Sequence, residues 1–409
     1  MGHEIRPITE DELPAFARTV YQGFGVQADD EEVEEVRLSI ELDRTLAIFD
    51  GGRPVATAGV LSVRLTLPGA TTVPAAAVTV VAVLPTHRRR GMLTALMSRQ
   101  LDDVAAAGEP VAVLLASESV IYGRFGYGPA TEVATVEIER AHAAIADPSP
   151  PVGDIRLVEV DDLPTQLPEI HARYCAQQPG EISRPPGWWQ AFFRDYEHNR
   201  EGLTARFAVV YDGPGGRPEG YLTYRMKGDP WAALPEKILQ VEDLVAQTPR
   251  ARAALWRYCL AVDLVQLVRA PAVPVDEPLR WILRDSRRLQ TTGVHDFLWV
   301  RLVDVAAALS ARRYATADGL VFDVADGFRA SQAGRYRLDG GPDGAECRRT
   351  DESADLRLDV ADLGSLFLGG VRATTLARAG RIVELKAGAL RRADALFGSD
   401  PMPYCSTEF

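Results

Sequence analysis

The chain has 409 residues, of which 46% are hydrophobic and 25% charged, and a formal net charge of −12. This composition is typical of a soluble globular protein and excludes a disordered or fibrous chain. The acidic balance argues against general binding to nucleic acid or to anionic membranes. At roughly 100–200 residues per domain, the length allows two to four domains.

The cysteines and the N-terminal segment bear on the cellular compartment. The four cysteines are scattered, with no CxxC pair and no histidine at metal-ligand spacing, so we expect a reduced protein without a metal site. The first residues carry acidic side chains where a signal peptide needs an apolar core. Residues 65–86, the longest uncharged stretch, are interrupted by three prolines. We therefore expect a cytoplasmic protein.

The first 140 residues alternate between helical and strand patterns, as in a compact α/β unit. Helices are predicted at residues 10–23, after the N-cap residue Thr9, and at 90–108. Strands are predicted at 45–49, 54–61, 62–67, 76–84, 111–116 and 131–138. Asp50-Gly51-Gly52 predicts a hairpin turn between the first two of these strands.

A proline-rich segment at residues 147–154 is the first candidate domain boundary. Beyond it, strands at 207–211, 220–226 and 237–245 precede a helix at 249–262. The last part predicts helices at 303–313, 361–368 and 388–397 and strands at 320–324, 334–338 and 354–360. Residues 78–97 and 240–259 form a weak repeat of strand, basic turn and helix, in which Gly91 aligns with Ala253.

The strongest chemical signal lies where the predicted strand at 76–84 meets the following helix. Three arginines, Arg88-Arg89-Arg90, lead into Gly91, where the helix begins. A helix N-terminus presents unpaired N–H groups, and glycine lets the backbone approach an anion without an intervening Cβ. Arginine adds charge-assisted donors, so this segment predicts a pyrophosphate-binding loop. The alternative is a solvated basic turn that caps a surface helix.

The pattern Arg88-x-x-Gly91 between a strand and a helix resembles the acetyl-CoA loop of the GNAT superfamily of N-acetyltransferases. The usual pattern has a final small residue where this chain has Leu93. The resemblance implies acetyl-CoA as cosubstrate, bound through its pyrophosphate.

A second segment matches the same superfamily about thirty residues later. In these enzymes a strand is followed by a tyrosine and then by a Gly-aromatic pair, and Tyr122 with Gly126-Tyr127 has this spacing. A phenol with a pKa of about 10 is protonated at neutral pH and can donate a proton to a departing thiolate. The resemblance therefore implies that Tyr122 is the general acid. The alternative is that these tyrosines, like Phe125, are core aromatic residues.

Four motifs along the chain make the resemblance specific: PTHRRRG, SExxIYGRFGYGPAT, DLGSLFLGG and the terminal STEF. Together they are similar to the Eis (enhanced intracellular survival) family of GNAT N-acetyltransferases over essentially the whole chain. The resemblance implies a mixed α+β and α/β fold with tandem GNAT acetyltransferase folds, followed by a sterol-carrier-protein-like α/β domain. We expect the catalytic domain at 1–150, a degenerate acetyltransferase-like domain at 151–300 and the sterol-carrier-protein-like domain at 301–409. It also implies a homo-hexamer.

The resemblance further assigns roles to individual residues. The residues expected to bind acetyl-CoA are Val81 and Val83, through the strand backbone, and Arg88, Arg89, Gly91 and Met92 around the pyrophosphate. Tyr122 would be the general acid, the C-terminal carboxylate of Phe409 would assist deprotonation of the amine, and Glu408 would contact the cationic substrate. A free α-carboxylate has a pKa of about 3.5, so it needs burial or an intervening water to act as a base. The alternative for Phe409 is an ordinary frayed chain end.

The acceptor is less well defined than the donor. Family members acetylate amines, aminoglycosides above all, and an acidic protein suits such a small cationic substrate. The six carboxylates at residues 29–35 either rim the acceptor pocket or, as we favour, form an exposed helix face. Val26, Val80 and Leu115 replace polar or aromatic side chains of the aminoglycoside-modifying members.

Two other functions remain open at this point. One is a protein-lysine acetyltransferase, and the other is a non-catalytic sensor that binds CoA or a lipid. For the C-terminal domain we favour a scaffold that presents Phe409 over a lipid-binding module.

Overall fold

The computed structural model of the protein describes residues 4–147, 152–228 and 237–409. The chain groups into two compact units. The first comprises the described residues up to Thr131 together with Pro179–Ala191 and Phe297–Phe409, and the second comprises Glu132–Gln178 and Phe192–Asp296. Residues 148–151, the centre of the predicted boundary, lie outside the described residues. The domain limits at 150 and 300 stay predictions.

The described residues form strands and helices with the following bounds. The strands are β1 (Ile5–Arg6), β2 (Thr45–Asp50), β3 (Arg53–Leu67), β4 (Thr71–Val83), β5 (Val111–Leu115), β6 (Gly128–Pro129), β7 (Glu132–Glu139), β8 (Asp154–Leu157), β9 (Phe207–Asp212), β10 (Pro218–Lys227), β11 (Lys237–Ala246), β12 (Val265–Pro274), β13 (Gln290–Asp296), β14 (Leu298–Leu302), β15 (Asp318–Ala325), β16 (Gly334–Gly341), β17 (Gly344–Arg349), β18 (Leu356–Asp359) and β19 (Val383–Glu384). The α-helices are α1 (Leu13–Gly23), α2 (Asp30–Leu38), α3 (Met92–Ala106), α4 (Ser119–Tyr122), α5 (Leu163–Cys175), α6 (Pro186–Arg194), α7 (Pro249–Ala261), α8 (Leu279–Ile282), α9 (Val305–Ala311), α10 (Val360–Phe367), α11 (Ala373–Arg378) and α12 (Ala389–Phe397).

The main sheet of the first unit has the strand order β1-β2-β3-β4-β5-β14-β6, and β4 and β5 are its parallel pair. Gly51 and Gly52 both have positive φ and form the predicted turn between β2 and β3. The two strands predicted at 54–61 and 62–67 are wrong in number, because β3 runs through both. No glycine or proline separates residues 61 and 62, so nothing breaks the extended backbone there.

The strand predicted at 131–138 forms as β7, but it does not close the first sheet. It pairs with β12 and β13 in the sheet of the second unit, whose order is β13-β7-β12-β11-β10-β9-β8. In the first sheet, the position beside β5 is filled by β14, which comes from much later in the chain. The alternating apolar pattern predicts a strand but carries no information about the sheet it joins.

Two helices cover opposite faces of the first sheet. Helix α1 packs through Phe16 and Val20 in one cluster with Ala47 of β2. Helix α3 packs through Leu96 in a cluster with Leu46 and Ile48. Because successive side chains of a strand point to opposite faces, residues 46 and 48 lie on one side of the sheet and residue 47 on the other. The loop between β4 and α3 therefore connects two elements of this packed core.

The C-terminal part of the first unit contains a smaller sheet with the order β17-β16-β15-β18-β19. The motif DLGSLFLGG supplies most of α10, a helix buried along its whole length. A Cβ at Gly364 would collide with the carbonyl oxygen of Val300 in β14, so the glycine permits close packing there. Among the described residues, none of the helices has the length and apolar character needed to cross a bilayer.

Candidate active site

The site is built around a local distortion of β4. Val80 has a positive φ of 48°, which is rare for a β-branched residue, and the register against β3 shifts between Thr57 and Gly59. The Thr57 hydroxyl donates to the Val80 carbonyl at 2.8 Å and holds the bulge. The last pair between β4 and β5 is Val78 with Leu114, so the two parallel strands separate beyond it. Residues 79–83 therefore have no pair in β5.

The end of β4 directs backbone groups away from β3. The N–H of Leu84 donates to the Val55 carbonyl at 3.0 Å, which makes the adjacent pair Val83 and Ala56 a non-hydrogen-bonded one. The N–H and C=O of Val83 consequently point toward the gap between β4 and β5. Its carbonyl accepts from Nε of Arg88 at 3.2 Å. The N–H of Val83 is the group this arrangement leaves for a ligand in the gap.

The loop between β4 and α3 has the backbone of an anion-binding turn. Arg89 has a φ of 62° and Gly91, the N-cap residue of α3, a φ of 80°. In the part of the chain that the structure describes, no side chain caps this end of the helix. The first N–H groups of α3 are therefore directed out of the helix toward the loop. Arg88 is used structurally, since its Nη2 donates to the Gly23 carbonyl at 2.7 Å.

Tyr122 lies at the end of the short helix α4 and is 6% exposed to solvent. Burial raises the pKa of its phenol above the ordinary value. The rings of Tyr122 and Tyr127 are in a T-shaped arrangement with their centroids 6.2 Å apart. Tyr127 is fully buried, and its hydroxyl has no hydrogen-bond partner among the described residues. The two tyrosines thus differ in position: Tyr122 lines a cavity and Tyr127 belongs to the core.

A cavity of about 610 Å³ joins these features. It brings together all the residues expected to bind acetyl-CoA and the expected general acid: Val81, Val83, Arg88, Arg89, Gly91, Met92 and Tyr122. It is also lined by residues that sequence reasoning missed: Gly23, Phe24, Ala82, His87, Leu93, Thr94, Ser117, Glu118, Ile121 and Arg124. Five of these stood inside motifs already singled out and were identifiable by that proximity: His87, Ser117, Glu118, Ile121 and Arg124. Gly23 and Phe24, at the end of α1, carry no local signal.

The corresponding junction in the second unit has a capped helix and a paired arginine. Thr248 caps α7 by accepting from the N–H of Ala251 at 3.1 Å, and Pro249 removes another donor. Arg252, which aligns with Arg90, donates to the buried Glu277 at 2.9 Å. Helix N–H groups and an arginine side chain favour phosphate binding at the first loop. At the junction in the second unit, both kinds of group already have partners within that unit. This is the arrangement expected if only the first copy binds CoA.

The chain terminus belongs to the first unit but does not line the cavity. Neither Glu408 nor Phe409 is among the described residues that form its wall. The carbonyl oxygen of Glu408 accepts from Nε1 of Trp188 at 2.6 Å, and Phe409 is half-buried. Desolvation by the surrounding protein raises the pKa of Glu408, although the residue is exposed to solvent.

The acidic run at residues 29–35 forms the start of α2 and not the wall of the cavity. Asp29 caps the helix by accepting from the N–H groups of Glu31 and Glu32 at 2.9 and 3.0 Å. None of the six carboxylates is among the described residues that line the cavity. The N-cap carboxylate and the acidic first turn stabilise the N-terminus of α2.

Three family models match the chain in order. The first is an acetyltransferase (GNAT) domain over residues 4–130, the second an acetyltransferase (GNAT) domain over residues 180–302, and the third a sterol carrier protein domain over residues 305–406. Each of the three sheets falls mainly within one of these ranges. The mixed fold with two GNAT folds and a sterol-carrier-protein-like domain is thereby confirmed.

Full-length relatives give the same result. The chain is 41% identical over 408 residues to an uncharacterized N-acetyltransferase of Streptomyces avermitilis, covering 99% of each chain. It is 35% identical over 412 residues to the N-acetyltransferase Eis of Mycobacterium tuberculosis, covering 98% of each. The crystal structure of Eis1 from Mycobacterium abscessus superimposes with a TM-score of 0.88 at 36% identity, covering 100% of both chains.

Proposed function

Because the chain belongs to the Eis family of GNAT N-acetyltransferases, we propose that it acetylates amino groups of aminoglycoside-like or polyamine substrates with acetyl-CoA. The acetyl group passes directly from the thioester to the amine within a ternary complex. The observation that carries the proposal is a single cavity that joins an uncapped helix N-terminus, a separated strand edge and a buried phenol. The helix N-terminus would bind the phosphates of an acyl-CoA donor, the strand edge would bind its carbonyl group, and the phenol would protonate its leaving thiolate.

The residues of the cavity suit the donor in charge and in hydrogen-bonding groups. Acetyl-CoA supplies an activated acetyl group and carries a pyrophosphate. The N–H groups at the start of α3, with Arg89 beside them, would bind the phosphate oxygens. Arg88 contributes by fixing the loop to Val83 and Gly23, since its guanidinium is bonded to their carbonyl groups. The N–H of Val83 would bind the pantetheine arm.

The position and the protonation state of Tyr122 support a role as general acid. Its phenol lines the cavity and is protonated at neutral pH, because burial raises its pKa further above the ordinary value of about 10. A thiolate formed in the same buried cavity is also desolvated, which raises its affinity for a proton. Tyr122 therefore donates its proton as the carbon–sulfur bond breaks, and it regains one from the solvent afterwards.

The two carboxylates at the chain end suit a cationic acceptor. Glu408 and the terminal carboxylate of Phe409 together place two negative charges within one residue of each other. They do not line the donor cavity, and from outside its wall they would hold an ammonium group and accept its proton, so that the free amine attacks the acetyl carbon. The raised pKa of Glu408 makes its carboxylate a stronger base than an ordinary glutamate.

A panel of amines measured by release of free thiol tests the proposed substrate class. The panel contains kanamycin, spermidine and a lysine-containing peptide, each incubated with the protein and acetyl-CoA. We expect thiol release with kanamycin or spermidine and little with the peptide, with acetylated products identified by mass. Transfer to the peptide alone would indicate a protein-lysine acetyltransferase, and binding of acetyl-CoA without any transfer would indicate a sensor.

The pH dependence of kcat tests the general acid. Since burial raises the pKa of Tyr122, its phenol remains protonated beyond the pH at which an ordinary phenol ionises. We expect kcat to rise with pH as the amine and carboxylates lose protons, and to stay level up to about pH 9.5. A decline of kcat with a midpoint below about pH 9 that is also present in Tyr122→Phe would contradict this assignment, because another group would then be the acid.

A further inference from the structure

The last residues of the chain are held more firmly than an irregular chain end usually is. Helix α12 ends at Phe397, and the residues beyond it form neither helix nor strand. Such termini are commonly frayed. Here, however, Tyr404 and Cys405 are buried, and Thr407, two residues from the end, is 1% exposed. The partners of this tail lie in the segment Pro179–Ala191.

That segment is attached to the sheet that carries the candidate active site. Strand β2 pairs with only the first half of β3. The segment Pro179–Ala191 forms hydrogen bonds with the second half of β3, along the same edge. Gly180 N–H donates to the Thr66 carbonyl at 2.8 Å, and Thr66 N–H donates to the Glu181 carbonyl at 3.0 Å. Ser183 N–H donates to the Arg64 carbonyl at 2.9 Å. Its backbone is therefore fixed relative to the second half of β3.

Glu181 connects this anchored segment to the tail. It is 0% exposed, and one carboxylate oxygen accepts from both the N–H and the hydroxyl of Ser406 at 2.8 Å each. The other oxygen accepts from the Thr407 hydroxyl at 2.6 Å. A buried carboxylate is costly unless its oxygens are hydrogen-bonded, so these bonds favour one position of the tail strongly over others.

Arg184 and Trp188 hold the next positions along the tail. Arg184 donates from Nε to the Thr407 hydroxyl at 2.9 Å and from Nη2 to the Ser406 hydroxyl at 3.0 Å. Its guanidinium lies over the ring of Trp188 at 4.2 Å. Trp188 in turn donates to the Glu408 carbonyl. Residues 406, 407 and 408 each have at least one hydrogen bond to the segment. The position of the Phe409 carboxylate therefore depends mainly on the torsion angles of Phe409 itself.

We propose that Glu181, Arg184 and Trp188 form a tail clamp, a set of positioning residues that hold the Phe409 carboxylate in the place where it serves the amine. The inference rests on the role of Phe409 in the proposed function. The clamp residues do not act on substrate themselves. They act through the tail, because a reacting group displaced by about 1 Å can lose about 100-fold in rate.

Steady-state kinetics of Glu181→Gln test the clamp. The amide keeps one acceptor oxygen but places a donor at the other position, where either Ser406 or Thr407 requires an acceptor, so the tail loses its position while the donor cavity is unchanged. We expect kcat to fall about 10- to 100-fold, with the KM for acetyl-CoA unchanged. Glu346→Gln, on the exposed face of β17, is the matched control and should retain full activity.

A second pair of variants keeps the test valid if Glu181→Gln does not fold. Thr407→Val removes the hydroxyl that bridges Glu181 and Arg184 but retains the side-chain shape, and it should lower kcat in the same manner. Thr407→Ser retains the hydroxyl and should restore most of the activity. Equal kcat for the valine and serine variants would overturn the clamp.

A double-mutant cycle with deletion of Phe409 separates the two proposals. If the clamp acts through Phe409, Glu181→Gln or Thr407→Val has no further effect on kcat once Phe409 is deleted. If deletion of Phe409 lowers kcat but the clamp variants multiply that loss or cause none alone, the clamp is overturned and the role of Phe409 stands. If deletion of Phe409 leaves kcat unchanged, the role of its carboxylate fails, and the clamp proposal fails with it.

Discussion

Replacing Tyr122 by phenylalanine should lower kcat by about 100- to 1,000-fold, the range typical for loss of a general acid. The phenol lines the donor cavity, and burial keeps it protonated by raising its pKa. Without it, the thiolate must leave without a proton donor at this point of the cavity. The ring itself remains, so the affinity for acetyl-CoA, measured by calorimetry, should change by less than about threefold.

Tyr127→Phe is the matched control for this prediction. It removes the same atom from the neighbouring ring, but that hydroxyl is buried and has no hydrogen-bond partner among the described residues. We expect full activity and an unchanged or higher melting temperature, because an unsatisfied polar group leaves the core. Equal kcat for the Tyr122→Phe variant and the parent protein would exclude Tyr122 as the acid.

Gly91→Ala should weaken acetyl-CoA binding by about tenfold or more, the equivalent of one lost charge-assisted hydrogen bond. Gly91 has a φ of 80° at the start of α3, and an added Cβ meets no protein atom within 4 Å. The substitution therefore acts through the backbone conformation and through the space that a phosphate would occupy. The measurement is the Kd for acetyl-CoA by isothermal titration calorimetry.

Gly108→Ala provides the control at the opposite end of the same helix. Gly108 has a φ of 73°, and an added Cβ likewise meets nothing within 4 Å. Both variants should lose roughly 1 kcal/mol of unfolding free energy, because alanine is strained at positive φ. The Gly91 variant alone should lose affinity. An equal Kd for both would show that the loop does not bind the pyrophosphate.

Local sequence patterns predicted most of the helices and strands, but they did not predict which distant strands pair. The helices around Leu96 and Leu255 and the turn at Gly51 followed from periodicity and turn residues, and each formed within a few residues of its expected bounds. The placement of β14 between β5 and β6 did not follow, because its partners lie in a distant part of the chain. The pairing partners of a strand depend on how the whole sheet buries its faces, and a short stretch of sequence carries no information about this.

The candidate site shows the same division. Arg88, Gly91 and Tyr122 belong to short motifs whose spacing carries their chemistry, and one cavity contains all three. The structural use of Arg88 was not predictable, because the Gly23 carbonyl that it binds belongs to an element distant in sequence. Likewise, nothing near Glu181 indicated a partner at Thr407, since the contact spans 226 residues.

Direct transfer from donor to amine is tested most simply by measuring thiol release in the presence and absence of the amine acceptor. In a ternary-complex mechanism, acetyl-CoA alone gives no burst of thiol, and initial rates at several fixed amine concentrations give intersecting double-reciprocal lines. We expect this result, with one acetylated amine formed for each thiol released. A stoichiometric burst without amine, together with parallel lines and an acetylated protein, would contradict it, because these are the signs of a covalent intermediate.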